Sequence, residues 1–217
     1  IYETLSLVTE DVFNDKAIND AYKIITKDGV ALYNLAKSFV EIRYEKALKD
    51  ELIKLGVKPV ETRTGNSYTK KISVENDYPF GGEMSGHLYF RDKFIGNDDG
   101  IYAGLRLVEI LSKTNKKCTE LLDNIPVYYS TDENKVPVED AIKDKIVSRV
   151  EEYAKEKGYN YLTIDGVKVL YDDGFALVRK SNTTPNITTR YEAKTKERLE
   201  EITNEYNSLL DKLKEEE

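Results

Sequence analysis

Apolar residues recur along the chain with the period of a strand in some segments and of a helix in others. Alternating apolar and polar positions over 39–43 predict a strand, and residues 57–62 predict a second one. Between them, apolar positions spaced as on one helical face over 47–55 predict a helix that ends at Gly56. A β-α-β order favours a parallel or mixed sheet, so this part of the chain is predicted to be α/β.

A glycine-rich segment and an acidic segment follow. Residues 79–87 contain too much glycine for the interior of an element, so they predict a loop leading into a strand at 88–90. Asn97 or Asp98 is predicted to cap the next helix. The apolar stripe of that helix comprises Ile101, Leu105, Val108 and Leu111. A metal site on the neighbouring carboxylates of Asp98 and Asp99 is the alternative, although a hard cation needs more oxygen ligands than these two supply.

The pattern breaks at residues 122–126, and the elements beyond this break differ in kind. Residues 138–153 predict an amphipathic helix, and another helix is predicted to begin at about Thr195. Three strand candidates lie between these helices, at 162–170, 175–180 and 187–192. The sequence Asp172-Asp173-Gly174 predicts a hairpin between the first two, which indicates an antiparallel sheet.

The predicted organisation is two domains, which 217 residues are enough to build. Residues 1–38 form a poorly assigned N-terminal segment, because Lys27-Asp28-Gly29 interrupts the only helical pattern there. Residues 39–123 form an α/β domain with a mixed sheet. Residues 124–217 form a smaller α+β domain, in which helices flank an antiparallel sheet. The fold class is therefore α/β combined with α+β.

Charge and composition exclude several classes of function. A net charge of −7 provides no basic surface for a phosphate backbone, so we expect no nucleic-acid partner. No apolar run is long enough to span a bilayer, so we expect no membrane partner. One cysteine, Cys118, and one histidine, His87, cannot form a zinc site or an intrachain disulfide, which favours a reducing, cytoplasmic location. The chain begins with Ile1, and we expect this to be a cut end of a longer polypeptide.

The glycine-rich loop carries the first group of candidate residues. Glu83, Ser85 and His87 are spaced by two, so in an extended segment their side chains would point the same way. A carboxylate, a hydroxyl and an imidazole can together accept and donate hydrogen bonds to a polyhydroxylated substrate. The alternative is a polar turn whose histidine is satisfied by the backbone.

The second group lies between two predicted strands. The segment 179–185 contains Arg179, Ser181, Asn182, Thr183 and Thr184. A guanidinium fork, hydroxyls, an amide and turn N–H groups suit a phosphate, although loops of this composition are also common without a ligand. Asn182 also begins an N-glycosylation signal, but nothing indicates secretion. The glycine motifs of dinucleotide and P-loop sites and the G-x-S-x-G motif are absent from the sequence.

At these two loops the chain resembles the phosphohexomutases, specifically the phosphomannomutase/phosphoglucomutase family. Gly82-Glu83-Met84-Ser85-Gly86-His87 resembles that family's sugar-specificity loop, with Met84 as in its glucose/mannose branch. The segment 179–185 is similar to its phosphate-binding loop. Residues 96–103 and 165–169 also match. The resemblance covers roughly residues 39–205 and rests on separate motifs in the right order.

The resemblance implies that this chain corresponds to the third and fourth of the family's four domains. The phosphoserine of the first domain and the Mg²⁺-holding acidic loop of the second are absent, so the resemblance implies no cofactor in this chain and no turnover by this chain alone. Possible partners then include the missing N-terminal domains. Two departures from the family pattern stand out. Glu41-Ile42-Arg43 replaces an Asp-Val-Lys or Asp-Val-Arg strand end, and Asn66 replaces a histidine that could carry a proton.

The implied reaction interconverts hexose 1-phosphate and hexose 6-phosphate of glucose or mannose through a hexose 1,6-bisphosphate intermediate, and the substrates are therefore hexose phosphates. The second-domain loop would hold the phosphate that is not reacting. Glu83 and Ser85 would bind sugar hydroxyls, His87 would orient the substrate or exchange a proton, and Arg43 would keep a cation near it. The two loops are expected to act on one ligand. Two alternatives remain open from the sequence: a non-catalytic phosphosugar-binding module and a purely structural scaffold.

Overall fold

The computed structural model describes residues 37–41, 46–114, 116–123 and 125–216, which divide between residues 126 and 127 into two compact units. The sequence analysis placed this boundary between residues 123 and 124. Arg43, which the resemblance assigned a catalytic role, lies outside the described residues, as does most of the predicted segment 1–38. Among the described residues, no helix combines the length and apolarity that crossing a membrane requires.

The first unit contains a mixed sheet with helices. In chain order its elements are β1 (Lys37–Glu41), α1 (Lys46–Lys54), β2 (Lys58–Thr62), α2 (Asn66–Glu75), β3 (Phe80–Gly82), β4 (Leu88–Phe90), α3 (Gly100–Ser112) and a 3₁₀ helix (Cys118–Leu122). The strand order is β2-β1-β3-β4. Strand β1 runs parallel to both β2 and β3, whereas β4 is antiparallel to β3. The predicted β-α-β unit and mixed sheet are confirmed.

Helix α1 follows the predicted pattern because its apolar residues repeat on one face. Ala47, Leu48 and Leu52 are buried and belong to the core of the first unit. Gly56 ends the turn with a φ of 79°, a left-handed conformation that glycine adopts without steric cost. The predicted end of this helix is therefore confirmed.

Two predictions for the first unit were wrong, and one helix was not predicted. Phe80, Gly81 and Gly82 form strand β3, because pairing with β1 and β4 stabilises a backbone whose composition favours a loop. Helix α2 was not predicted, since few of its residues are apolar. The predicted stripe of α3 is on the wrong face: Ile101 is 78% exposed and Leu105 49% exposed. The buried residues of α3 are Ala103, Arg106, Leu107 and Ile110.

The second unit is an antiparallel sheet with two helices. Its elements are β5 (Tyr129–Ser130), β6 (Asn134–Pro137), α4 (Lys143–Glu156), β7 (Asn160–Leu162), β8 (Val167–Tyr171), β9 (Gly174–Lys180), β10 (Asn186–Ala193) and α5 (Lys196–Glu215). The strand order is β5-β10-β9-β8-β7, with β6 also paired to β10. All pairings are antiparallel, and Tyr171 faces Gly174 at the predicted hairpin. The predicted sheet and its flanking helices are confirmed.

The boundaries inside the second unit differ from the prediction in two places. The strand candidate at 162–170 is two strands, β7 and β8, because the chain turns between them at Gly166, whose φ is 81°. Helix α4 begins at Lys143 rather than near residue 138, since β6 and a turn precede it. The last helix begins as predicted: Thr195 caps α5 by accepting a hydrogen bond from the Arg198 N–H at 3.1 Å.

Candidate functional site

The glycine-rich loop of the first unit closes a tight hairpin between β3 and β4. The Glu83 N–H donates to the His87 carbonyl and the Gly86 N–H donates to the Glu83 carbonyl, both at 2.9 Å. Gly86 has a φ of 91°, which few other residues adopt. The segment is thus a turn and not the extended stretch that the sequence analysis assumed. The three candidate side chains consequently differ in exposure: Glu83 is buried, His87 is half-buried and Ser85 is exposed.

The carboxylate of Glu83 is held by two hydroxyl groups from neighbouring elements. Glu83 is only 2% exposed. Its Oε1 accepts hydrogen bonds from Thr69 Oγ1 on α2 and from the Tyr89 hydroxyl on β4, the latter at 3.2 Å. Burial raises the pKa of Tyr89, so its hydroxyl remains a donor at neutral pH. These contacts fix the orientation of the carboxylate.

The second carboxylate oxygen of Glu83 has a different environment. Within the described part of the chain, Oε2 accepts only from Ser85 Oγ, at a long distance of 3.5 Å. Because a carboxylate oxygen can accept more than one hydrogen bond, Oε2 can receive a further donor from a ligand. Glu83 and Ser85, which the sequence analysis singled out, are therefore brought together by the structure.

His87 is paired with an aspartate from the acidic segment. Its Nδ1 lies 2.5 Å from Asp98 Oδ2, and Asp98 Oδ1 accepts the Leu88 N–H at 3.2 Å. A carboxylate at Nδ1 favours the tautomer that carries its proton there, which leaves Nε2 as a hydrogen-bond acceptor. His87 is thus oriented by a side chain 11 residues away in the sequence.

Both carboxylates of the acidic segment accept hydrogen bonds from protein groups. Asp98 is engaged with His87, and Asp99 caps α3 by accepting the Tyr102 N–H at 2.9 Å. The capping prediction was therefore one residue or two too early, because Asp99 is the last residue before the helix. Across the described residues, no group of three or more histidine, cysteine, aspartate or glutamate side chains is placed to hold a metal ion.

In the second unit, the candidate anion loop connects β9 to β10 and is folded by its own hydrogen bonds. The Ser181 N–H donates to the Asn186 carbonyl at 2.9 Å, and the Asn186 N–H donates to the Thr184 carbonyl at 2.8 Å. Ser181 Oγ accepts from the N–H groups of Thr183 and Thr184 at 3.3 and 3.2 Å, and it lies 2.7 Å from Thr184 Oγ1. Four of the five predicted phosphate-binding residues are thus gathered in one compact turn, with Asn182, Thr183 and Thr184 exposed.

Arg179 precedes this turn, and a buried ion pair with Asp165 fixes its side chain. Its Nε donates to Asp165 Oδ2 at 3.1 Å, and the two side chains are only 8% and 7% exposed. The pair forms because β8 and β9 are adjacent in the sheet, which brings together residues 14 positions apart. Contact through Nε orients the guanidinium without using its two terminal amino groups.

The sequence analysis missed three residues that position these loops: Thr69, Tyr89 and Lys143. Thr69 and Tyr89 hold Glu83, and Lys143 contacts the anion loop. Thr69 and Lys143 are distant in sequence from the groups that they contact, and Tyr89 lies on the strand that follows the glycine-rich turn, so spacing within a motif does not reveal them. The available signal is a polar side chain that is buried, and burial becomes visible only once the elements are placed.

Comparisons with known proteins point to one family for both units. Residues 22–129 match the sequence profile described as "Phosphoglucomutase/phosphomannomutase, alpha/beta/alpha domain III", and residues 133–208 match that of the C-terminal domain of the same family. The first match begins at residue 22, earlier than the resemblance at residue 39 noted from the sequence. The first profile match ends three residues after the division between the two units, and the second lies wholly within the second unit.

Individual relatives agree with the profiles. A phosphomannomutase/phosphoglucomutase of Pseudomonas syringae pv. tomato is 37% identical over 173 residues, which cover 80% of this chain and 37% of that protein. A crystal structure of a phosphoglucomutase/phosphomannomutase family protein from Burkholderia thailandensis superposes with a TM-score of 0.80 at 31% identity, over 90% of this chain and 42% of that one. An N-acetylphosphoglucosamine mutase of Aspergillus fumigatus, in complex with GlcNAc-6P and magnesium, shares the fold at a TM-score of 0.62 and 14% identity, covering 94% and 44%. The chain spans 37% to 45% of the length of the first curated relatives that it matches.

Proposed function

Since this chain belongs to the phosphoglucomutase/phosphomannomutase family, we propose that it is the substrate-binding half of an enzyme that interconverts hexose 1-phosphate and hexose 6-phosphate. The reaction would proceed through a hexose 1,6-bisphosphate. The phosphoserine and the Mg²⁺ that supply phosphoryl transfer would come from two further domains of the family's enzymes. Holding one sugar in two opposite orientations would be the task of the present half.

The observation that carries this proposal is the organised anion loop of the second unit. Hydroxyl groups of Ser181, Thr183 and Thr184 lie in one turn, which follows Arg179, whose guanidinium Asp165 orients. A planar guanidinium and neighbouring hydroxyl groups match the oxygen atoms of a phosphate monoester. The loop would hold whichever phosphate is not being transferred, and positioning of this kind supplies much of the catalysis in phosphoryl transfer.

In the first unit, Glu83 would recognise the sugar ring. Its Oε1 is occupied by Thr69 and Tyr89, so Oε2 would accept hydrogen bonds from the sugar hydroxyls. Ser85 would add a second contact. His87, oriented by Asp98 through Nδ1, would present Nε2 to the substrate and orient it or exchange a proton with it. The cationic role of Arg43 stays a prediction.

Glu83→Gln is expected to weaken the binding of glucose 1-phosphate and mannose 1-phosphate by about tenfold, because the charged acceptor at Oε2 is lost. The affinity for inorganic phosphate, which carries no sugar hydroxyls, should stay unchanged. Isothermal titration calorimetry on the full chain measures both affinities. Glu75→Gln, an equivalent change at an exposed site on α2, is the control and should alter neither.

This titration also tests the proposed function as a whole. The wild-type chain should bind hexose phosphates more tightly than either inorganic phosphate or free glucose, because only the phosphate ester carries both a phosphate group and sugar hydroxyls. Equal affinity of the wild-type chain for phosphate and for the hexose phosphates would contradict the proposal. If Glu83→Gln also weakened the binding of inorganic phosphate, its effect would not come from sugar hydroxyls, and the role of Glu83 in sugar recognition would be contradicted.

The chain by itself is expected not to convert glucose 1-phosphate to glucose 6-phosphate, even with Mg²⁺ and glucose 1,6-bisphosphate present. The physical reason is that the phosphoserine which donates and accepts the phosphoryl group is expected in another domain of the family than the two that these residues match. A coupled assay with glucose 6-phosphate dehydrogenase measures this rate. Turnover above the rate of the assay without protein would show that the present residues perform the chemistry themselves.

A further inference from the structure

A buried lysine joins the start of α4 to the anion loop. Lys143 is the first residue of α4 and is only 8% exposed. Its Nζ donates to the backbone carbonyls of Ser181 at 2.8 Å and Thr184 at 3.0 Å. The third partner is the carboxylate of Asp140, at 2.6 Å.

These three contacts use the full hydrogen-bonding capacity of the lysine. An ammonium group has three N–H donors and no acceptor. With two carbonyls and one carboxylate as partners, Lys143 has no donor left for a ligand oxygen. These contacts therefore indicate that Lys143 holds the loop in its conformation and does not contact a phosphate directly.

The contacts also determine which way two peptide groups of the loop point. In a planar trans peptide the N–H of one residue points opposite to the carbonyl of the residue before it, and the described residues contain no cis peptide. Because the Ser181 carbonyl points at Lys143, the N–H of Asn182 is directed to the opposite side. Among the described residues, no acceptor takes that N–H. Pro185, which follows the Thr184 carbonyl, has no N–H to orient.

We propose that Lys143 is the positioning residue of the anion loop. By holding the carbonyls of Ser181 and Thr184 on one side, it keeps their negative ends away from an incoming phosphate. The Asn182 N–H and the loop hydroxyls are then presented on the other side, ready to donate. This inference rests on the proposed function, because the loop that Lys143 would orient is the proposed phosphate-binding loop.

The neighbouring lysine does not fill the same role. Lys180 pairs with Asp144 at 2.5 Å, but the two side chains are 44% and 77% exposed. Exposed pairs of this kind contribute little and are screened by salt. Lys143, in contrast, is buried and contacts backbone atoms of the loop.

Lys143→Met is expected to weaken the binding of both inorganic phosphate and glucose 1-phosphate by about tenfold or more, since the loop loses the charged donor that orients its peptides. The full chain is titrated with each compound, and the amide resonances of Asn182, Thr183 and Thr184 are followed by ¹⁵N NMR. Phosphate should shift these resonances in the wild-type chain and leave them nearly unmoved in the variant. Lys155→Met, the same change at an exposed position of α4, is the control and should behave as wild type.

A chemical rescue separates loss of the ammonium from general disruption. Lys143→Cys is made in a Cys118→Ser background, which removes the chain's single native thiol. Alkylation with 2-bromoethylamine then rebuilds a side chain of nearly lysine length that ends in an ammonium. Affinity should return after alkylation and should not return after alkylation with iodoacetamide, which adds no cation. If Lys143→Met does not fold, this pair still decides the question.

The outcomes distinguish the inference from the function on which it rests. If the wild-type chain binds hexose phosphates and Lys143→Met binds them equally well, the positioning role is overturned and the proposed function stands. If phosphate binding depends on Lys143 but hexose phosphates bind no better than phosphate, the positioning role stands and the proposed function fails. A wild-type chain that binds neither compound at millimolar concentration overturns both.

Discussion

Arg179→Ala is expected to lower the free energy of unfolding by about 3–5 kcal/mol, because it breaks a buried ion pair and leaves one charge behind. Asp165 is only 7% exposed, so its carboxylate would lose a charged partner in a poorly hydrated environment. The same substitution should weaken hexose phosphate binding by about 1.5–3 kcal/mol, the usual range for hydrogen bonds to charged groups. Urea denaturation followed by circular dichroism measures the first effect, and calorimetric titration measures the second.

Two further variants separate these effects. Arg149→Ala breaks a pair at an arginine that is 41% exposed, so it should cost no more than about 1 kcal/mol of stability and leave binding unchanged. Combining Arg179→Met with Asp165→Asn removes both charges and should recover most of the stability but none of the affinity. Recovery of affinity in this double variant would contradict direct binding of phosphate by Arg179. Unchanged stability of Arg179→Ala would show that the pair adds nothing to the fold.

Gly166→Ala is expected to lower the free energy of unfolding by about 2–5 kcal/mol through two additive causes. The φ of Gly166 is +81°, a conformation that costs other residues about 1–2 kcal/mol. In addition, a Cβ atom would overlap the Val178 carbonyl oxygen and lie 2.6 Å from Arg179 Cα. Since both neighbours are backbone or backbone-linked atoms of β9, they cannot move aside without disturbing the strand that carries Arg179.

Gly158→Ala is the matched control for this clash. Gly158 also has a positive φ, +70°, but nothing lies within 4 Å of an added Cβ. This variant should therefore show only the conformational cost of about 1–2 kcal/mol. The difference between the two variants, measured by urea denaturation, isolates the overlap with β9. Equal destabilisation by both variants would mean that β9 accommodates the added methyl group.

Local patterns in the sequence account for most of the elements. Helix α1 and the last helix are recovered because their apolar residues repeat on one face, and the Tyr171–Gly174 hairpin because its turn residues are distinctive. The same reasoning failed for Phe80–Gly82, where strand pairing overrides a loop-like composition. It also chose the wrong face of α3, since a helix apolar on several sides does not indicate by itself which side meets the core.

For the candidate site residues, too, the sequence identified the residues but not the partners that hold them. Motif spacing was enough to single out Glu83, His87 and Arg179 and to suggest their chemistry. It could not indicate how each is held, because their partners come from other elements: Thr69 from α2, and Asp165 from the turn before β8. The orientation of Glu83 and Arg179, and thus which of their atoms a ligand can reach, depends on these partners.

The sequence by itself determined the two-domain order, the α/β and antiparallel character of the sheets, and the two loops with polar chemistry. These properties follow from interactions within a few residues, which periodicity and turn composition record directly. Only the tertiary structure decided the buried ion pair at Arg179, the hydroxyl contacts of Glu83 and the hydrogen bonds from Lys143 to the anion loop. Such contacts join residues from 6 to 41 positions apart, and their formation depends on strand pairing and helix packing that no local pattern specifies.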